Sequence, residues 1–155
     1  MKAHPDIHGF SGDFRWLSNF WPVEVEMDWE VYPSVEHAYQ AAKTNDHALR
    51  THFRSLTAGG VKRAAPSGKL LRPDWNLVRV QIMDDLLRQK FSKEPFVSKL
   101  LSTGCCYIEE TNHWKDTFWG VCDGRGENIL GKLIMVIRAD LVDVMGEMHD
   151  PGGPP

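Results

Sequence analysis

The stretch from Pro73 to Phe91 constrains this chain more than any other. Trp75, Val78, Ile82 and Leu86 recur at spacings of three and four, which puts them on one face of a helix. Pro73-Asp74 supplies the start, with Asp74 as N-cap, and Phe91 ends the pattern. A helix of this kind is stable only when its apolar face is covered. A second segment, 22–33, has the other periodicity: Val23, Val25 and Met27 alternate with Glu24, Glu26 and Asp28. That is a half-buried strand; Trp29 and Val31 suggest a hairpin return, which Pro33 stops.

The remaining elements are mostly helical. Ser34 is an N-cap for a helix through VEHAYQAAK. A second helix is expected over 47–56, with Leu49, Phe53 and Leu56 inward. Gly59-Gly60 is read as its break, and a short helix follows over 61–65 before Pro66. Pro95 sits in the first turn of another helix packed by Phe96, Leu100 and Leu101, which Gly104 ends. Residues 105–110 read as a short strand. Asn128 is read as the cap of a last helix carrying Ile129, Leu130, Leu133, Ile134, Ile137 and Leu141. The expectation is an α+β fold, a mainly helical single domain with a small antiparallel sheet. Its 155 residues suit one core of ordinary size. Residues 1–8 read as a flexible N-terminus, 9–145 as the domain and 146–155 as a disordered tail.

Charge and cysteine usage limit the function classes. Lys+Arg is 18 against 21 for Asp+Glu, a formal charge of −3, so binding of nucleic acid by bulk electrostatics is excluded. A local basic pocket is not. Cys105 and Cys106 are adjacent, Cys122 is distant, and no pair has zinc-finger spacing. Reduced thiols are the expectation. The N-terminus MKAHPDIHGF has no apolar signal core, and LIMVI is too short to span a bilayer. The chain is expected to be cytoplasmic, with no membrane partner.

Several constellations can carry chemistry. In the helix after Ser34, Val35, Ala38, Tyr39 and Ala42 form an apolar stripe, with Glu36, Gln40 and Lys43 beside it. A polar stripe at that position lies at the edge of a cleft, or else it is an ordinary solvated face. Glu36 and Lys43 are two turns apart, ~10 Å, so a ligand rather than a direct pair would join them. HWKDTFWG sets Asp116 between Trp114 and Trp119: either an acid whose pKa is raised by the indoles, or a turn Asp between core rings. WLSNF places Ser18 and Asn19 among aromatics, again as hydrogen-bonding groups or as a tight turn. Lys62, Arg63, Lys69 and Arg72, with Gly68, form an acid-free basic run suited to a phosphate or simply to solvent. DGRGEN lets backbone approach a ligand but lacks the dinucleotide fingerprint. His37, His47, His52 and His113 have no ligand spacing, so no metal is expected.

Taken together, FSGDFRWLSNFWP, YPSVEHAYQAAK, LRPDWNLVRVQIMDDLLRQKF and HWKDTFWGVCDGRGENILGKLIMVIR resemble the YbiA-like, or NADAR (NAD and ADP-ribose-associated), N-glycosidase superfamily over roughly residues 9–141. The resemblance implies cleavage of an N-glycosidic bond between a base-like group and a phosphorylated ribose. One branch of the family acts on phosphoribosylamino-pyrimidine intermediates of riboflavin synthesis, another on ADP-ribose attached to guanine in DNA or RNA. It points to Glu36, Lys43 and Asp116 as catalytic. It implies a phosphoribosyl or ADP-ribosyl substrate and no cofactor. Candidate binding residues are Ser18, Asn19, Phe20, His37, Gln40, Arg63, Lys69, Trp114, Trp119, Gly120 and Asn128. Lys115 stands where the family often has Gly, and Gly68-Lys69 where it has Gly-Arg. Losing Arg loses the bidentate fork for phosphate.

The chemistry expected is attack by Lys43 as a neutral amine on ribose C1, with Asp116 or Glu36 supplying the proton. Trp119, Trp114 and Phe20 would hold base or ribose, and Asn19 and Gln40 would bond hydroxyls. The competing class is a non-catalytic module that binds ADP-ribose or NAD. A third class, a structural helical domain, would use the Trp and Asn clusters only as core and turn.

Overall fold

A computed structural model describes residues 5–148. The chain forms two compact units, one of residues Arg15–Lys93 and one of residues 94–148 with 5–14.

The Arg15–Lys93 unit starts within a 3-10 turn, Gly12–Leu17, whose Trp16 and Leu17 are buried. Strands β1 (Ile7–His8), β2 (Val25–Met27) and β3 (Glu30–Tyr32) follow the chain order, and β2 and β3 form the expected antiparallel hairpin within this unit. Val25 and Tyr32 face inward as register partners, while Val31 is exposed. Two residues close the hairpin, Asp28 (φ 51°) and Trp29 (φ 69°), the left-handed pair of a type I′ turn. Helix α1 (Val35–Ala42) is capped by Ser34, whose side chain accepts from the His37 N–H. It packs against β2 and β3, α2 (His47–Arg54), α3 (Ala58–Arg63) and α4 (Trp75–Phe91), and every one of its residues is buried.

Three details depart from the sequence expectation. Gly59 and Gly60 lie inside α3 instead of breaking it, because Thr57 caps that helix through the Gly60 N–H. The core face of α4 is Trp75, Met83, Leu86, Leu87, Lys90 and Phe91, with Val78 and Ile82 half-buried. Asp74 makes no side-chain cap bond; its carboxylate takes the Arg72 guanidinium instead, at 2.6 and 2.9 Å.

The other unit is built on α6 (Ile129–Met148), with α5 (Phe96–Ser102) and short strands β4 (Ile108–Glu109), β5 (Thr111–Asn112) and β6 (Val121–Cys122). Besides the hairpin, two strand pairs are parallel, β1 with β4 and β5 with β6. Ile7 pairs with Ile108 and is buried, so residues 7–8 are tied down where the sequence suggested a flexible end. Residues 1–4 and 149–155 lie outside the described residues, while 146–148 continue α6. Buried Arg138 holds this unit together, donating to Thr103 Oγ1 at 2.7 Å and to the Cys106 carbonyl at 2.8 Å. Among the described residues no helix is long and apolar enough to cross a membrane.

Candidate active site

The candidate site of the Arg15–Lys93 unit is the polar stripe of α1, and it is not solvated. The Glu36 side chain belongs to a residue only 7% exposed. One turn on, Gln40 Nε2 donates to Glu36 Oε1 at 2.8 Å. The Glu36 backbone N–H donates to the Asn19 carbonyl at 3.0 Å, which fixes the 18–21 turn to the start of the helix. Burial pushes the Glu36 carboxyl above its ordinary pKa. The Gln40 bond and the charges of Lys62 and Lys43 pull the other way without cancelling it. Glu36 is therefore an acid that holds its proton where a surface glutamate has lost it.

Lys43 is the C-cap residue of α1, two turns beyond Glu36. Its carbonyl accepts from the Arg72 N–H at 2.7 Å. Its ammonium lies 5.1 Å from the Tyr39 ring centroid and 5.8 Å from that of Trp75. Those rings stand 5.1 Å apart, tilted by 59°, so two aromatic faces fix the position of Nζ.

The WLSNF segment is a tight turn and also a source of buried polar groups. The Trp21 N–H donates to the Ser18 carbonyl, and Ser18 Oγ accepts from the Phe20 N–H at 3.1 Å. Asn19 is buried, and its Nδ2 donates to the Met83 thioether at 3.5 Å. Lys62 Nζ lies 5.5 Å from the Phe20 ring centroid. Lys90, fully buried on α4, donates from Nζ to the Ser18 carbonyl at 2.8 Å, and burial lowers its pKa to about 7.

Thus Glu36, Gln40, Lys43, Asn19, Ser18 and Phe20 gather on α1 and the adjacent turn. His37 is committed elsewhere. Its Nε2 donates to the Leu56 carbonyl at 2.7 Å, so Nδ1 is the acceptor that meets Ser34 Oγ at 2.6 Å. Arg63, at the end of α3, and Lys69, in the 3-10 turn Gly68–Leu70, are exposed. Two lysines join the site that the candidate list lacked: Lys62, read from sequence only as part of a basic run suited to a phosphate, and Lys90. Lys90 follows Leu86 and Leu87 by four and three residues, a spacing that does mark it as inward.

In the other unit, Asp116 closes a turn. Its Oδ1 accepts from the N–H groups of Phe118 and Trp119 at 3.1 and 2.9 Å. Asn112 holds the Asp116 backbone from both sides, donating to its carbonyl and accepting from its N–H. Lys115 has φ 66°, a left-handed conformation that glycine adopts most cheaply. Trp114 is exposed and edge-on to His113; Trp119 is edge-on to Phe118. Gly120 serves close packing: a Cβ there would sit 2.2 Å from the Glu110 carbonyl oxygen.

Asn128 does not cap α6 with its side chain. It is buried with φ 52°, accepts from the Glu110 N–H and donates to the Ile108 carbonyl and the Tyr107 hydroxyl. The start of α6 is satisfied by the preceding loop: Ile129 and Leu130 N–H donate to the Phe118 and Trp119 carbonyls. Among the described residues no group of three or more His, Cys, Asp or Glu can hold a metal ion.

The NADAR domain model matches residues 9–142. The Escherichia coli N-glycosidase YbiA is 32% identical over 88% of this chain and 87% of its own length. A riboflavin biosynthesis protein of Vibrio vulnificus is 36% identical over 86% of this chain, which spans 36% of that protein's length. A chloroplastic riboflavin biosynthesis protein of Zea mays is 31% identical over 90% of this chain and 25% of its own length. The NMR structure of Escherichia coli YbiA superposes with a TM-score of 0.82 at 29% identity, covering 99% of this chain and 94% of that one. A match along nearly the whole length, in sequence and in fold, makes this chain a member of the NADAR domain family.

Proposed function

We propose that this chain is an N-glycosidase that hydrolyses the bond between an amine-bearing heterocycle and a phosphorylated ribose. The observation that carries the reading is the buried Glu36 carboxyl, held by Gln40, raised in pKa by burial and lying within the field of Lys43 and Lys62. Cleavage of such a bond needs a proton for the leaving nitrogen, and a buried carboxyl whose pKa is raised holds one to give. A module that only bound ADP-ribose or NAD would have no use for it. Relatives named N-glycosidase and riboflavin biosynthesis protein support the same chemistry and a small phosphoribosylamino-pyrimidine substrate over ADP-ribosylated nucleic acid.

Glu36 is the general acid in this reading. Lys43 Nζ, placed by the Tyr39 and Trp75 rings, gives up a proton and adds to C1 of the opened ribose, whose C1=N double bond to the heterocycle becomes single as that nitrogen takes a proton. The C1–N bond to the heterocycle then breaks as Glu36 protonates the departing nitrogen. Water adds to the resulting Lys43 imine, releasing the ribose phosphate as its aldehyde and restoring the amine. The sum is one water consumed and two products.

Incubation with a phosphoribosylamino-pyrimidine followed by mass spectrometry tests the reaction, with free heterocycle and ribose phosphate expected. Borohydride added during turnover should leave a ribose phosphate adduct on Lys43. Turnover by Lys43→Ala at near the wild-type rate rules out the covalent step.

A further inference from the structure

A cleft of about 450 Å³ opens in the Arg15–Lys93 unit between the β2–β3 hairpin and α4, lined by Glu26, Asp28, Trp29 and Gln89. None of these residues takes part in the proposed cleavage. Trp29 is 92% exposed and holds φ 69°, at a hairpin position where glycine is the cheapest residue. The hairpin gains nothing from an indole there, so the ring answers to something outside the fold.

The wall of the cleft is held rigidly. The Gln89 amide clamps Glu26 from both sides, donating from Nε2 to the Glu26 carbonyl and accepting from the Glu26 N–H, each at 2.7 Å. The Glu26 carboxylate is exposed and enters no ion pair or hydrogen bond among the described residues. Asp28 gives Oδ2 to the buried Arg50 at 2.7 Å, and its side chain stays 62% exposed. Arg50 is anchored inward through Nε, which donates to the Ala41 and Thr44 carbonyls. Two carboxylates against one paired cation leave the lining one negative charge in excess. An aromatic face and an uncompensated carboxylate on one cleft suit an organic cation. A guanidinium fits this lining best, because it is planar, stacks on an indole and is more weakly hydrated than an ammonium.

We propose that this cleft recognises the guanidinium of an arginine side chain carried by a partner chain, its plane stacked on Trp29 and its N–H groups donating to Glu26 and Asp28. Free arginine is the poorer occupant, since its α-carboxylate enters the same negative field; within a chain that charge is absent. The site does not depend on the N-glycosidase reading.

The test is an NMR titration of the wild-type protein read at the Trp29 indole N–H, a signal identified by its loss in Trp29→Gly. The probes are N-acetyl-arginine amide, its neutral citrulline counterpart, its lysine counterpart and free arginine. The capped arginine should shift the signal and the citrulline compound should not. The lysine compound and free arginine should each bind at least about twofold more weakly. In Trp29→Gly, followed at the Glu26 backbone N–H, affinity for the capped arginine should fall about fivefold, the loss of one exposed cation–π contact. Glu26→Gln, read at the indole, should weaken it about threefold. No shift with the capped arginine at millimolar concentration, an equal shift with citrulline, or equal affinity for lysine overturns the guanidinium assignment. Free arginine binding as tightly as the capped residue overturns its assignment to a chain. Full affinity in both variants puts the probe elsewhere and overturns the proposal. The comparison of arginine with citrulline needs no variant, so a misfolded mutant leaves the test decisive. Every readout is binding, so failure of the N-glycosidase reading and failure of this one are told apart.

Discussion

Gln40 Nε2 donates to Glu36 Oε1 at 2.8 Å one helical turn away, and that bond does not bring the Glu36 carboxyl back to an ordinary pKa. Burial outweighs it because every residue of α1 is buried, Glu36 and Gln40 included.

Glu36→Gln keeps the shape and removes the acid. The expected loss in kcat is about a hundredfold or more, the usual scale for a general acid. The wild-type rate should fall as pH rises through the raised Glu36 value, and the variant should lack that limb. Stability carries the same signature. A carboxyl raised above its unfolded value of 4.5 binds more protons folded than unfolded. Its contribution is whole below that value and is lost as pH rises through the folded one. Thermal melts against pH should show this loss in wild type and not in Glu36→Gln.

Lys90 has the opposite sign. Its folded pKa of about 7 lies below the ordinary 10.5, so between these values the unfolded chain holds more protons. Its contribution is present above 10.5 and is lost as pH falls toward 7. The difference in melting temperature between wild type and Lys90→Met should therefore shift in favour of wild type as pH rises from 7 to 9. A difference independent of pH would show that Lys90 is not buried as a titrating amine.

Much of the Arg15–Lys93 unit was legible from local chemistry. The alternation at Val23, Val25 and Met27, the Ser34 cap and the long helix ending at Phe91 are signals that a segment carries by itself. What was not legible depends on distant partners. The parallel pairs Ile7–Ile108 and Thr111–Val121 come from strands two residues long, too short for any periodicity. Asn128 read as a cap because its side chain fits one; the loop carbonyls that cap α6 are backbone groups and leave no mark in sequence. Of the stripe read from sequence as Glu36, Gln40 and Lys43, the first two are joined by a hydrogen bond on α1 and Lys43 is its C-cap. The burial of α1 follows from the elements packed around it.

Asp116 is separable into turn and chemistry. Asp116→Ala removes an oxygen that two N–H groups share, and about 1–2 kcal/mol of stability should go with it. Asp116→Asn keeps a carbonyl oxygen for those groups and should restore most of the melting temperature. Activity measured on the folded Asn variant then reads the charge alone. A large rate loss there assigns the carboxylate to the reaction, and a rate near wild type leaves it to the turn.

Trp29 holds φ 69° at the hairpin tip and is 92% exposed, so its ring packs against little while its backbone is strained. Trp29→Gly removes that strain and keeps Asp28, whose carboxylate takes the Arg50 guanidinium at 2.7 Å. A gain of about 1 kcal/mol is expected, a rise of roughly 2–4 °C in melting temperature. A fall would mean that the indole covers more of the hairpin than its exposure indicates.

Salt dependence distinguishes the two substrate classes. A nucleic-acid strand would be held by several phosphates, each releasing counterions, and KM would rise steeply with salt. A small ribose phosphate engages one phosphate group, and KM should rise only about threefold between 50 and 200 mM salt. The exposed cations of the basic run, Lys62, Arg63 and Lys69, are few, and the chain as a whole carries −3. The shallow dependence is the expected result. Lys62→Ala should raise KM more than Arg63→Ala, because Lys62 alone of the two reaches the Phe20 ring and the field of Glu36. A change of a hundredfold or more over the same salt range, flattened in both variants, would move the substrate to DNA or RNA.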